Sequence, residues 1–382
     1  MKFEWVKWKR NPKNILLLGI LLLALGVQLA EQWDSSKQVN KSDHQFLKAV
    51  ADEIQPPQGY VGTPEPYKML HHLDEQGVFL SEKDQMQYEK VVNILYLLED
   101  ENTARLTGDW KERRNVQTER LLLQSEYMKA GGTEWSMLSL DEVTQQLGRN
   151  EWLKEHDLPI EDISSSPKGI YFLYSLLRHA MSSGLLLVVV ALFFFDFMTS
   201  EYERRTYLFM SVQPISKQKR YFRKTGMAVL ITGAVYLLYL GLGFLSASLL
   251  FGTGSVSYPI IIEGTSTFYY VSIGSYILAV IALQLLFVAF IVQLLMLLSK
   301  AVKHSLEVLA VFLALFIVPN LLKSVLFSGS SLVQWLPFFY MDVDAYLRES
   351  IGFTQAFFFG AAVLVIGNII LLRLGSKAVN RI

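Results

Sequence analysis

The sequence predicts an all-α polytopic membrane protein: six transmembrane helices, with a mostly helical extracellular domain between the first and second. Three observations carry this. Apolar residues make up 52% of the 382-residue chain, above the roughly 45–50% of soluble domains. Apolar runs of membrane-spanning length recur. The formal net charge of zero conceals a division: residues 31–177 hold 15 Lys/Arg against 26 Asp/Glu, a net of −11, while the remainder holds 20 against 9, a net of +11. An acidic soluble block is set into a basic membrane block, and the two belong on opposite sides of a bilayer. The chain has no cysteine, which removes disulfides, thiol chemistry and cysteine-ligated metals.

The six spans are residues 14–30, 171–198, 226–250, 269–298, 305–322 and 354–373. Each is read as a helix, because a single segment in lipid can satisfy its backbone groups in no other way. Orientation follows from the basic flanks. Lys2, Lys7, Lys9, Arg10 and Lys13 precede the first span, and Arg204, Arg205, Lys217, Lys219, Arg220, Arg223 and Lys224 fill the 199–225 loop. Lys300 and Lys303 mark the 299–304 turn, and Arg373, Lys377 and Arg381 mark the C-terminal end. Segment 251–268 has no Lys or Arg. With six spans, every basic flank falls on one side, so both termini, including the 374–382 tail, are expected in the cytoplasm. The localisation implied is the cell membrane, multi-pass.

Taken in order, residues 1–13 interleave Phe3, Trp5 and Trp8 with basic side chains. They read as a cytoplasmic interfacial helix, or else as a basic flank without regular structure. The core Ile15–Ala30 follows a basic region as a secretory signal does, but Gln28 spoils the small-x-small cleavage pattern; it is read as a retained span. The extracellular domain, 31–170, opens with a short helix over 43–54, which ends where Pro56, Pro57, Gly59, Gly62, Pro64 and Pro66 crowd together. A capping-box pattern at Ser81–Asp84 starts a helix carrying Tyr88, Val91, Val92, Leu95 and Leu98. A second helix covers 110–130 and stops at Gly131-Gly132. A further capping box, Ser139-Leu-Asp-Glu142, starts a helix through Trp152. Ser164-Ser-Ser-Pro167 is the linker back to the membrane. His71-His72 with Asp74 and Glu75 lack metal-ligand spacing and read as surface.

Within the spans, Asp196 sits one turn from the cytoplasmic boundary, close enough to reach water or to pair with Arg204 or Arg205; a carboxylate there is a functional candidate. Gln284, Gln293, Asn320 and Asn368 are of the kind that hydrogen-bond between helices. Pro319 is placed to kink or end the fifth span. Segment 323–353 is too apolar for an ordinary loop and is broken by Gly329 and Pro337. It reads as short re-entrant helices.

The stretch Glu201-Tyr-Glu-Arg-Arg-Thr206, continuing through Pro214-Ile-Ser-Lys217 to Lys224, is the densest internal concentration of basic charge. With its position before the third span, and with Trp335–Tyr340 before the last, it resembles the permease subunits of ABC-2 type exporters. Glu203, Thr206, Pro214, Ser216, Lys217 and Lys224 match that family's pattern; Arg205 stands where the family usually has Gly. The resemblance covers the membrane part, about two thirds of the chain. It implies a permease without ATPase activity of its own. It also implies a partner ATPase subunit in two copies, carrying the ATP and Mg, and a second permease subunit, identical or homologous. Residues 199–225 would then be a coupling loop, with Glu201, Glu203, Arg204, Arg205, Thr206 and Pro214 as its contact residues. No catalytic triad, P-loop or metal motif stands out in the sequence, and neither a cofactor held by this chain nor a nucleic-acid partner is expected. The competing reading is a membrane sensor whose extracellular domain binds a ligand and signals through the same loop.

Overall fold

A computed structural model describes residues 8, 11–54, 82–131, 138–180, 185–197, 199, 203, 216–263, 268–302, 304–326, 335–348 and 352–381. Four of its helices are long and apolar enough to cross a membrane, the pattern of a membrane-embedded, multi-pass chain.

Helix α1 runs unbroken from Pro12 to Ile54. Pro12 at its start gives up only a donor that the first turn leaves unpaired anyway. The sequence breaks span and external helix at Ala30, where the polarity changes, but residues 31–54 contain neither Gly nor Pro and the helix continues. At 43 residues it is about 65 Å long, roughly twice the thickness of a hydrocarbon core.

Helices α2 (Glu82–Thr107), α3 (Trp110–Lys129) and α4 (Leu140–Glu155) form a helical subdomain. Gly108 at φ +77° turns the chain after α2. Asp109 then caps α3 by accepting from Lys111 N at 3.2 Å and Glu112 N at 3.1 Å. Gly131 at φ +92° follows the end of α3. The α4 capping box forms as the sequence spells it: Ser139 N donates to Glu142 Oε2 at 2.7 Å, and Glu142 N donates to Ser139 Oγ at 3.3 Å. Val91, Ile94, Leu98 and Tyr127 make a small apolar core, and α2 packs on α1.

Between the three helices lies a buried polar network. Glu101 of α2 accepts from Arg120 Nε at 2.9 Å and Gln117 Nε2 at 2.8 Å on α3. Asn150 of α4 donates to Gln117 Oε1 at 3.0 Å. Arg114 donates to the carbonyls of Leu153 and Leu158, both at 2.9 Å.

The 171–198 stretch is not one regular helix. It comprises α5 (Gly169–Ser175), a π-helical turn (Leu176–Ala180) and α6 (Leu185–Phe194); neither α-helical piece alone reaches the roughly 20 residues needed to span. Helix α7 begins at Lys217, not 226, and extends to Phe251. Ser216 caps it, accepting from Lys219 N at 3.3 Å, so the Pro-Ile-Ser-Lys motif contains a helix start.

An antiparallel hairpin, β1 (Pro259–Glu263) and β2 (Phe268–Ser272), interrupts the helical pattern. Its Ile and aromatic residues favour strands, and Ile260 and Ile262 are buried while Ile261 between them is not. Residues 269–272, assigned from sequence to a span, belong to β2. Ser272 then caps α8 (Ile273–Ala301), accepting from Ser275 N at 3.4 Å.

Helix α8 is the hub. Within the best spanning window of each helix, 67% of α8 is buried against 11% of α1, so α8 is central and α1 peripheral. Around α8 pack α6, α7, α9 (Ser305–Leu326) and α11 (Phe353–Arg381). Helix α9 continues through Pro319, although its apolar stretch, Ser305–Pro319, is short. The last apolar helix runs past residue 373, its spanning part being Phe353–Ala378. Before it come a 3-10 turn (Pro337–Met341) and α10 (Val343–Arg348); residues 323–326, assigned from sequence to this segment, belong to α9. Phe338 of that turn lies 5.9 Å from Phe290 and 5.3 Å from Phe316, ring to ring.

Candidate functional site

Where the subdomain meets the ends of α5, α7 and α10 there is a cavity of about 850 Å³. The linker of residues 158–168 forms one side. It is pinned to the hairpin by Tyr258, whose hydroxyl donates to Glu161 O at 2.6 Å and accepts from Glu161 N at 2.9 Å. Burial pushes the Tyr258 phenol above its ordinary value of 10.0, so it stays protonated and keeps donating. The hairpin is in turn fixed to α4: Trp152 Nε1 donates to Ser257 O at 2.9 Å, and Tyr270 OH donates to Gln145 O at 2.8 Å. Gly148 allows that approach, since a Cβ there would run into the Tyr270 ring.

The cavity wall is basic. Lys37 of α1, Arg105 of α2, Arg113 of α3 and Arg149 of α4 reach it from the subdomain side. Lys168, Arg178 and Arg348 reach it from the other. Glu161 and Asp162 are the carboxylates in the lining. Glu161 pairs with Lys168 at 2.6 Å, and Asp162 turns into its own loop, accepting from Ser164 N at 3.0 Å and Ser165 Oγ at 2.8 Å.

Below the cavity, Asp344 gathers a compact cluster. Its Oδ2 is 3.1 Å from Arg348 Nε and 3.8 Å from Arg178 Nε, and its Oδ1 accepts from Tyr276 OH at 2.7 Å. The Arg348 guanidinium donates to Tyr174 OH and lies 5.8 Å from both the Tyr174 and Tyr276 ring centres. Arg178 sits in the π-helical turn, a distortion that often accompanies functional positions in helices. Sequence reasoning passed over this cluster. A signal was present: Arg178 is the one Lys or Arg in the 171–198 apolar run, and an ionisable residue in such a run is a candidate by default.

The residues singled out from sequence lie elsewhere. Asp196 pairs with Lys13 at 2.6 Å, joining α1 to the end of α6, with Lys13 Nζ also 4.5 Å from the Phe195 ring centre. Gln284 accepts from Tyr236 OH, and Gln293 donates to Asn368 Oδ1 at 2.6 Å. Both are bonds between helices, as their types suggested. Asn320 lies on α9. Glu201, Arg204, Arg205, Thr206 and Pro214 fall outside the described residues, as do His71 and His72. Glu203 is described: its Oε1 accepts from Ser305 N at 2.9 Å and Ser305 Oγ at 2.7 Å, and Thr199 Oγ1 lies 2.6 Å from the same hydroxyl. Glu203 and Thr199 are thereby fastened to the start of α9. Trp8, in the N-terminal stretch read as interfacial, is buried with its ring 5.6 Å from Phe193; most of 1–10 lies outside the described residues.

No family model, curated protein or solved structure matches this chain.

The chemistry available therefore has to be read from the cavity itself. Its size is that of a ligand pocket. Its wall offers guanidinium and ammonium donors, which recognise anionic oxygen through charge-assisted hydrogen bonds.

Proposed function

We propose that this chain is the membrane-spanning permease subunit of an ABC exporter, moving its cargo outward with ATP hydrolysed by a separate subunit. In this reading the helical subdomain and the cavity face the outside, and the 199–216 stretch docks on the ATPase. The permease acts as a pair, identical or homologous, on two ATPase copies that carry ATP and Mg; this chain holds no cofactor.

The observation that favours it most is the attachment of Glu203 to Ser305. The loop stretch is flanked by the end of α6 and the start of α7, and Glu203 ties it to the start of α9. Thr199, just past α6, and Glu203 both bond Ser305 at the start of α9, so a push on Glu203 would bear on the ends of α6 and α9 together. The charges of Glu201, Arg204 and Arg205 suit a docking surface.

The test is co-purification with a Walker-type ATPase and measurement of stimulated ATP hydrolysis. Glu203→Ala combined with Arg205→Glu is expected to abolish both. Because Glu203→Ala also frees Ser305, Ser305→Ala serves as the control: it removes the hydroxyl's bonds to Glu203 and Thr199, leaves the backbone N–H bond to Glu203 and the loop charges in place, and is expected to retain binding. Unchanged binding and hydrolysis in the double variant would defeat the coupling assignment.

A second reading, a membrane sensor, is favoured by the cavity's position at the junction of subdomain and membrane helices. If no ATPase accompanies the chain, that reading takes its place.

A further inference from the structure

The block 31–177 is strongly acidic, yet the side chains it turns toward the cavity are mostly cationic. Seven Lys/Arg line the space, five of them from this block, against two carboxylates. Four of these cations are paired within the fold: Lys168 with Glu161, Arg113 with Glu101, and Arg178 and Arg348 together with Asp344. Two others are not. Arg149 has no ion pair among the described residues, and its Nε is buried without a hydrogen-bond partner. Lys37 has no carboxylate partner among the described residues either; its ammonium sits 3.7 Å from the Trp33 ring centre. Leaving a buried donor unsatisfied is costly, and a ligand anion would recover that cost.

The rest of the lining mixes serines, at Ser36 and 164–166, with apolar residues that include Trp33, Ile163, Phe251 and Ile260. Phe251 is the last residue of α7, and its ring lies 6.0 Å from Trp33. Leu249 and Leu250, just before it, are 85% and 67% exposed, so the cavity adjoins apolar surface that a bilayer would cover. A charged pocket beside such a surface suits a molecule with an anionic head and an apolar tail.

We propose that the cavity binds the phosphate-type head group of an anionic amphiphile, with Arg149 and Lys37 as its charge-bearing contacts. Glu161 opposes that binding: its Oε2 is buried without a hydrogen-bond partner and repels an incoming anion, while its Oε1 occupies Lys168. Only the description of this amphiphile as a cargo rests on the exporter reading; the binding itself does not.

The experiment is calorimetric titration of the full chain in an uncharged maltoside detergent. The probes are dodecyl phosphate, inorganic phosphate and dodecyltrimethylammonium. Dodecyl phosphate is expected to bind saturably and the ammonium amphiphile not to bind. Lys37→Gln with Arg149→Gln should weaken dodecyl phosphate binding by about tenfold or more, since each lost bond is charge-assisted. Glu161→Gln should tighten it. Equal binding of the two amphiphiles overturns the proposal, as does unchanged affinity in the folded double variant. Should the double variant lose its cooperative melting, Glu161→Gln decides alone, and affinity that stays level or falls overturns the proposal. Inorganic phosphate binding as tightly as dodecyl phosphate overturns the amphiphile and assigns the site to a soluble anion. No titration involves an ATPase, so failure here and failure of the exporter reading are separate results.

Discussion

Individual side chains carry two kinds of electrostatic weight in this protein. Glu101, with Arg120, Gln117 and Asn150, is buried, so its removal leaves a cation in the interior without compensation. Glu101→Leu is expected to destabilise the subdomain by about 3–5 kcal/mol, read as a fall in the thermal midpoint. The Lys13–Asp196 pair is partly exposed, at 27% and 29% for its two side chains. A double-mutant cycle on it should return about 1 kcal/mol or less. The Glu142 carboxyl is held below its ordinary value of 4.5, first by the Ser139 backbone N–H and then by the Ser139 hydroxyl. Asp157 is likewise held below 3.8, first by its hydrogen bond from Lys111. Both folded-state values are depressed, so both contributions are present above the ordinary values and are lost as the pH falls through the folded ones. Glu142→Gln should therefore lower the melting midpoint at pH 6 and leave it unchanged at strongly acidic pH. A loss of equal size at both would mean that the carboxylate charge is not what matters.

At the level of elements, helix junctions depend on close approach and on single polar bonds. The hairpin docks on α4 through Tyr270 and the bare Cα of Gly148. Gly148→Leu should undock it and expose Trp152, seen as a change in tryptophan quenching, while α2 and α3 stay helical. Inside the membrane region, Gln293 and Asn368 join α8 to α11, and Asn368 also donates to Leu286 O at 3.1 Å and Leu364 O at 2.8 Å. Gln293→Leu should cost about 0.6–2 kcal/mol, measured by unfolding in mixed micelles. The Ser139–Glu142 capping box and the Gly131 stop were legible in sequence because they are local: three or four residues decide each one; Ser81, of the other expected box, lies outside the described residues. The hairpin was missed because its strands are five residues each and abut a long apolar helix, so a window scan merges them with it.

For the whole molecule, sidedness is the property on which everything else turns. The chain contains no cysteine, so single-cysteine labelling needs no background removal. Lys129→Cys, on the exposed end of α3, is expected to react with an impermeant maleimide in intact cells. Lys377→Cys, on the exposed last turns of α11, should react only after permeabilisation. The reverse pattern would turn the cavity toward the cytoplasm, and the reading of it as an outward-facing pocket would fail.

The sequence by itself determined what depends on local composition and short spacing: the four apolar runs that form helices long enough for a bilayer, where α3 and α4 begin, and how charge divides between the two blocks. It also pointed to Gln284 and Gln293 as amides that bond between helices, as they do with Tyr236 and Asn368, because an amide in an apolar helix has few other ways to satisfy its bonds. Only the tertiary structure decided that α1 runs unbroken through the polarity change at Ala30, and that Asp196 meets Lys13. It alone brought Arg149, Lys37, Arg178 and Arg348 around one cavity. Those residues lie on four separate elements spread over more than 300 positions, and no local pattern encodes such a convergence. Periodicity records which face of a helix is buried; which charges share a pocket is set by how the helices pack around α8.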